Sequence, residues 1–234
     1  MDTYSHRQAI ESFLSFINDT SSPYVLKGGT SLMECYGLDR FSEDVDLDCP
    51  RGPSNSDGFK RRIDRFCAAY GYEAHIAKNT DTVSRAFIRY DGDLNPLKVE
   101  VSYRRARIDE ATVTVVNGIR VYSISEIAIQ KAGAYLARDK MRDLYDLTFI
   151  INNYLDDLSD GALSAVTNAL EYKDLDQFDY LMRTQDDPLI DRDKLAGDFL
   201  AAFDNLGLLA PDAPTPDPVP DEDADLDLEE DDPR

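Results

Sequence analysis

The chain has 234 residues, room for one large domain or two small ones, and an apolar share of 42%, which suits a soluble globular protein. Its 46 acids against 25 bases give a net charge of −21, which excludes a basic nucleic-acid-binding domain as its overall character. No run approaches the roughly eighteen apolar residues of a membrane span, and the opening MDTYSHRQAIESF lacks the charged-then-apolar order of a signal sequence, so the chain reads as cytosolic with no membrane partner.

The acid is unevenly spread. Residues 211–234 hold eleven carboxylates and one arginine, which leaves −11 on the first 210 residues. Such a proline-rich, low-complexity acidic segment cannot bury enough apolar surface to offset its ordering entropy, and it is expected to be a disordered tail. Cys35, Cys49 and Cys67 are odd in number and lack CxxC spacing, which argues against a disulfide framework or a zinc ribbon. With only His6 and His75, a histidine-dependent triad or a multi-histidine zinc site is not expected either. A metal would have to be held mainly by carboxylates, which points to Mg²⁺ or Mn²⁺.

In chain order, Ile10, Phe13, Leu14 and Ile17 recur at helical intervals over about 5–18. A short apolar stretch, Tyr24-Val25-Leu26, ends in Lys27-Gly28-Gly29-Thr30-Ser31. The two glycines mark a tight turn, and Thr30 or Ser31 is expected to cap a helix beginning at Leu32. Phe41–Asp48 alternates like a strand, and 56–70 reads as a helix with Phe59, Ile63, Phe66 and Cys67 on one side. Five strands are then expected at 72–77, 86–90, 97–103, 112–116 and 119–122, with turns at Asp91-Gly92 and Asn117-Gly118. Ser123 with Glu126 makes a capping-box pattern, after which the chain reads as helical, with further helices near 141–153, 160–170, 174–183 and 192–206. The expected layout is α+β: a mixed-sheet domain over 1–122, a helical domain over 123–210, and the tail over 211–234.

Four places carry possible chemistry. Period two puts Asp44 and Asp46 on one strand face, where two like charges repel unless a cation lies between them; Asp48 would share that face and Glu43 would point the other way. The alternative is a solvated acidic edge. The Gly28-Gly29 turn and the helix start behind it suit an anion, or simply turn the chain into a helix. Glu100 lies on the polar side of a strand whose Val99 and Val101 face the core, either as a third acid for a two-metal site or as a surface partner of Lys98. Drawn as one helix, Lys131, Tyr135, Arg138, Arg142 and Asp146 fall within an arc of about 80°. Lys140 would then interrupt the apolar face, so a turn near 138–140 between two helices is expected, with an Arg142–Asp146 pair as the bland reading.

Taken in order, KGGTSL, RFSEDVDLD, KVEVSY and K-x₆-R-x-K-x-R-D-x-x-D-L resemble the AbiEii family of nucleotidyltransferase toxins in the DNA polymerase β-like superfamily, MenT-like members of type IV toxin–antitoxin systems. The resemblance covers about 24–150, and the acidic tail is not part of that pattern. It implies an N-terminal nucleotidyltransferase-like mixed sheet with flanking helices, followed by a helical bundle. It also implies nucleotide phosphates held at Gly28, Gly29, Thr30 and Ser31, divalent metal at Asp44 and Asp46 with Glu100 as the third acid, and catalysis assisted by Lys131. Lys131 and Arg142 would neutralise the leaving pyrophosphate, and Arg138, Lys140, Asp143 and Asp146 would brace the site. The implied reaction moves NMP from an NTP to an acceptor, with the tRNA 3′ end foremost and a cognate antitoxin as a possible partner. Alternatives are a protein or small-molecule acceptor, or a non-catalytic binding partner that retains the fold. The basic stretch Lys98, Arg104, Arg105 and Arg107 suits an RNA backbone, with Tyr103 available for stacking, or serves as a charged strand edge.

Overall fold

Helical periodicity at the start of the chain produces α1 (Thr3–Ile17), whose N-cap Asp2 accepts from the Tyr4 amide and whose stripe of Ala9, Ile10, Phe13, Leu14 and Ile17 is buried. In the computed structural model, which describes residues 2–18, 22–53, 55–90 and 95–209, the strands form one seven-stranded sheet. The expected tail over 211–234 and the expected turn at Asp91-Gly92 lie outside the described residues. The strands are β1 (Val25–Lys27), β2 (Asp44–Asp48), β3 (Glu73–Asn79), β4 (Val83–Arg89), β5 (Leu97–Ser102), β6 (Val113–Val116) and β7 (Ile119–Tyr122).

Their order across the sheet is β3-β4-β5-β2-β1-β7-β6, with β2 parallel to β5, β1 parallel to β7, and the remaining neighbours antiparallel. The acidic strand β2 is therefore interior, between the glycine-turn strand β1 and the Glu100 strand β5. β6 and β7 are joined at Asn117-Gly118, whose positive φ angles of 51° and 78° fit the tight turn that this dipeptide favours. The helix α3 (Asn55–Tyr70) packs with α1 and against β3 and β4, and Phe13 meets Phe66 edge-on at 5.1 Å. Burying aromatic rings of this kind contributes on the order of 1.5–3 kcal/mol each.

The C-terminal half is helical: α4 (Ile124–Ala137), α5 (Met141–Tyr154), α6 (Asp160–Tyr172), α7 (Leu175–Thr184) and α8 (Arg192–Asn205). Ser123 caps α4 by accepting from the Glu126 amide at 3.3 Å. The break expected near 138–140 is present: Arg138 and Lys140 are extended, and α5 starts afresh at Met141. Lys173, at the end of α6, holds that break. Its buried ammonium donates to the Tyr135 carbonyl at 2.5 Å and to Asp139 at 2.7 Å, placing a cation at the negative end of α4. One apolar core runs from the sheet residues Val45, Val99 and Val101 into Tyr135, Leu144 and Leu147 of the helices. The same seam carries Tyr154 Oη to the Tyr36 carbonyl at 2.6 Å and Tyr145 Oη to Asp39 at 2.7 Å.

Candidate active site

The paired strand acids face one cavity of about 620 Å³, lined by Gly28, Gly29, Asp44, Asp46, Lys131, Arg138 and Arg142 among others. Ladder register sets the arrangement: Asp46 lies opposite Lys27 on β1 and opposite Glu100 on β5. Burial pushes the Asp46 carboxyl above the usual carboxylate range; Asp44 and Glu100 add to that, while Lys98 and Lys27 oppose it. A divalent cation between Asp44 and Asp46 would relieve the repulsion, so the donor chemistry fits such an ion. Among the described residues, no three metal-ligating side chains already form a cage. Instead Lys98 holds Asp44 at 2.6 Å, and Arg85 holds Glu100 at 2.5 Å.

Beside the acids stands the N-terminus of α2 (Gly28–Cys35). Gly28 has φ +77°, and a Cβ there would lie 3.3 Å from Asp46 Oδ2, so the site needs glycine both for backbone conformation and for close approach. Gly29 is packed as closely, since a Cβ would meet Arg40 Nη2 and Ser42 Oγ at 2.8 Å. The first-turn amides of α2 have no intrahelical carbonyl to meet and carry the positive end of the helix dipole beside the cavity.

The opposite wall carries Lys131, Arg138 and Arg142, each held by an acid. Lys131 is 9% exposed and pairs with Asp146 at 2.5 Å. Fully buried Asp146 also takes both Nε and Nη2 of Arg40 at 2.7 Å, so one carboxylate joins α5, α4 and the loop before β2. Arg138 forks onto Asp143 at 2.7 and 3.0 Å. Arg142 pairs with Asp187, ahead of α8, and with Glu43 at 3.1 Å. Burial raises the Asp187 carboxyl, but its bonds to Arg142 outweigh that and hold it below the usual range.

Several expectations need correction. Helix α2 begins at Gly28, with Lys27 at the N-cap position and no side-chain cap bond, so neither Thr30 nor Ser31 caps it. Both hydroxyls are fully buried: Ser31 donates to the Gly28 carbonyl at 2.7 Å, and Thr30 donates to the Asp44 carbonyl and shares a 2.9 Å bond with Ser42. They shape the turn rather than line the cavity. Glu43 precedes β2, so the period-two rule does not govern it, and it lines the cavity. Asp48 is buried and tied to Lys27 at 2.5 Å, Tyr122 Oη at 2.9 Å and Arg105 at 3.4 Å. Tyr103 is fully buried and cannot stack on a ligand. Glu100 pairs with Arg85 rather than Lys98, and Arg142 does not pair with Asp146.

The structure thus gathers Gly28, Gly29, Asp44, Asp46, Arg104, Lys131, Arg138, Arg142 and Asp143 on one cavity. Lys98 and Lys140 line a neighbouring cavity of about 730 Å³ that shares Asp44 and Asp46 with the first. Arg105 turns to Glu126 at 2.9 Å, and Arg107 is exposed. Sequence reasoning gave no role to Arg40, Lys27 or Gln130. Arg40 and Lys27 stood inside quoted motifs, but their partners become neighbours only through the fold.

A family model described as nucleotidyl transferase AbiEii toxin, type IV TA system, matches residues 16–228, which extends the resemblance at both ends and into the acidic segment. Among solved structures, the chain is similar to JHP933 from Helicobacter pylori: 30% identity, 88% of this chain and 92% of that one covered, TM-score 0.71. A second H. pylori chain is 30% identical, with 88% and 95% covered and a TM-score of 0.69. The fold is also similar to MenT4, a nucleotidyltransferase toxin from Mycobacterium tuberculosis, at 17% identity, with 89% and 85% covered and a TM-score of 0.55. No curated protein matches the chain by sequence.

Proposed function

The chain belongs to the AbiEii family of nucleotidyltransferase toxins, and we propose that it transfers a nucleoside monophosphate from an NTP to RNA, with the tRNA 3′ end as acceptor, in a reaction dependent on Mg²⁺ or Mn²⁺. One observation carries the reading: a glycine-opened helix N-terminus abuts a pair of strand carboxylates, with Gly28 only a Cβ away from Asp46, across a cavity from Lys131. An amide cradle, an acid pair and a facing cation are what a triphosphate and its counter-ion require.

In this reading the first-turn amides at Gly28, Gly29 and Thr30 bind phosphate oxygens, replacing the hydroxyl grip that the sequence suggested. Asp44 and Asp46 would hold a divalent cation, which would supply neutralisation of phosphate charge when bound. The acceptor hydroxyl attacks the α-phosphorus, a new P–O bond forms, and the bond to the β-phosphate bridging oxygen breaks to release pyrophosphate. Glu100, across the ladder from Asp46, lines neither cavity and is held by Arg85; on releasing Arg85 it would complete the carboxylate set for the cation or take the hydroxyl proton. Lys131 and Arg142 stabilise the leaving charge, and Asp146, Asp143 and Asp187 hold the cationic wall in position. Exposed Arg107, close in sequence to the cavity residue Arg104, supports an RNA acceptor. As a type IV toxin, the protein would be opposed by a cognate antitoxin.

The test is incubation of the protein with each labelled NTP and, separately, tRNA, total RNA or cell extract, with Mg²⁺ or with chelator. Label on the tRNA 3′ end that chelator abolishes is the expected result. Label confined to protein or small molecules would overturn the acceptor, and chelator-resistant transfer would overturn the metal.

A further inference from the structure

The cavity beside the acid pair has two chemically different halves. Lys27, Gly28, Asp44, Asp46 and Lys131 are charged or present backbone amides. The other half is walled by Ile127, Gln130 and Ala134 of α4 and by Arg104, which lies past the end of β5. Ile127 and Ala134 are seven residues apart, two helical turns, so they share one stripe with Lys131 between them. On that stripe Lys131 separates part-exposed Ala134 from Ile127, which lines the cavity but is itself fully buried.

Two polar groups on this lining are not used by the fold in the way the other site residues are. Arg104 is exposed, and its guanidinium makes no ion pair or hydrogen bond among the described residues, unlike Arg40, Arg138 and Arg142. Gln130 donates its amide nitrogen to Glu126 Oε1 at 3.0 Å, and Glu126 is itself held by Arg105 at 2.9 Å. This fixes the Gln130 amide through its nitrogen, while its carbonyl oxygen has no partner among the described residues. A planar cation and one oriented acceptor beside part-exposed Ala134 match a flat heteroaromatic ring with N–H groups on its edge.

We infer that this half of the cavity is the nucleobase subsite, with Arg104 stacking on the base and Gln130 Oε1 accepting from its edge, so that these two residues set which NTP the protein uses. The inference rests on the nucleotidyl-transfer reading and adds the part of the substrate that reading leaves open. Phosphate contacts hold every NTP alike; discrimination has to come from groups that touch the base.

The experiment measures binding of ATP, GTP, CTP, UTP and inorganic tripolyphosphate, which has no base, to the wild type and to Arg104→Ala and Gln130→Ala, in Mg²⁺. The wild type is expected to bind at least one NTP more tightly than tripolyphosphate. Arg104→Ala is expected to weaken that NTP roughly tenfold, Gln130→Ala to flatten the ranking of the four NTPs, and both to leave tripolyphosphate unchanged. Variants that keep the wild-type ranking and the margin over tripolyphosphate would overturn the subsite, as would variants that weaken NTP and tripolyphosphate equally. A wild type that binds neither kind of probe would contradict the nucleotidyl-transfer reading itself, a failure distinct from either of those.

Discussion

Asp146 and Lys131 share an ion pair, yet their removal should have opposite consequences. Lys131→Ala leaves Asp146 paired with Arg40 and leaves Asp143 paired with Arg138, so the fold is expected to hold while NTP binding or turnover falls. Asp146→Ala leaves two cations buried against each other, Arg40 with 4% and Lys131 with 11% of its side chain exposed, and should cost about 3–5 kcal/mol. Thermal melts beside transfer assays separate the two cases. Glu34 offers a test of burial against pairing. Burial raises its carboxyl above the ordinary value of 4.5, and Arg7 at 3.4 Å, itself half-exposed, offsets only part of that. An acid with a raised folded pKa favours the folded state increasingly as pH falls through that raised value. Glu34→Gln is therefore expected to raise Tm at pH 7, with the gain vanishing below the ordinary value of 4.5; a Tm difference independent of pH would contradict this. At this scale the acid pair and Gly28 were legible because period two and a glycine turn are local signals. Tyr103 was misread: its parity with core Val99 and Val101 points inward, but its position beside arginines suggested a surface role. Arg40 was not legible: its partner Asp146 lies 106 residues away.

Helices reveal themselves through periodicity, and here the sequence located α1, α3 and α5 to α8 within a few residues. The α4–α5 break was legible from Lys140, which would have interrupted an apolar face. What holds the break was not, because Lys173 reaches it from the end of α6. Lys173→Ala should destabilise the protein by about 1.5–3 kcal/mol, the usual worth of a charged hydrogen-bond donor, and chemical denaturation measures it; an unchanged midpoint would mean the break needs no cation. Strand order was beyond local signals. It depends on β1 sitting between β2 and β7, pairings that join residues 19 or more apart. The start of α2 was misplaced because glycine reads as turn chemistry, whereas here Gly28 is the first helical residue and the two hydroxyls fall inside the turn.

Across the whole molecule, charge opposes an RNA substrate. Of the net −21, residues 211–234 carry −10, and the site cations Lys131, Arg138 and Arg142 are each matched by a carboxylate. Deleting residues 211–234 is expected to tighten RNA binding at low ionic strength, with the gap to the full chain closing as salt screens the repulsion; equal affinities at low salt would restrict that segment to another role. Among the described residues, no helix is long and apolar enough to cross a membrane. That Asp44 and Asp46 work with the α2 amides to transfer a nucleotide is tested by comparing wild type with Asp46→Ala for transfer from labelled NTP to purified tRNA in Mg²⁺. Labelled tRNA is expected from the wild type and none from the variant, with the variant's Tm unchanged or slightly higher because a repulsive part-buried carboxyl is gone. Undiminished transfer by a folded Asp46→Ala protein would contradict it.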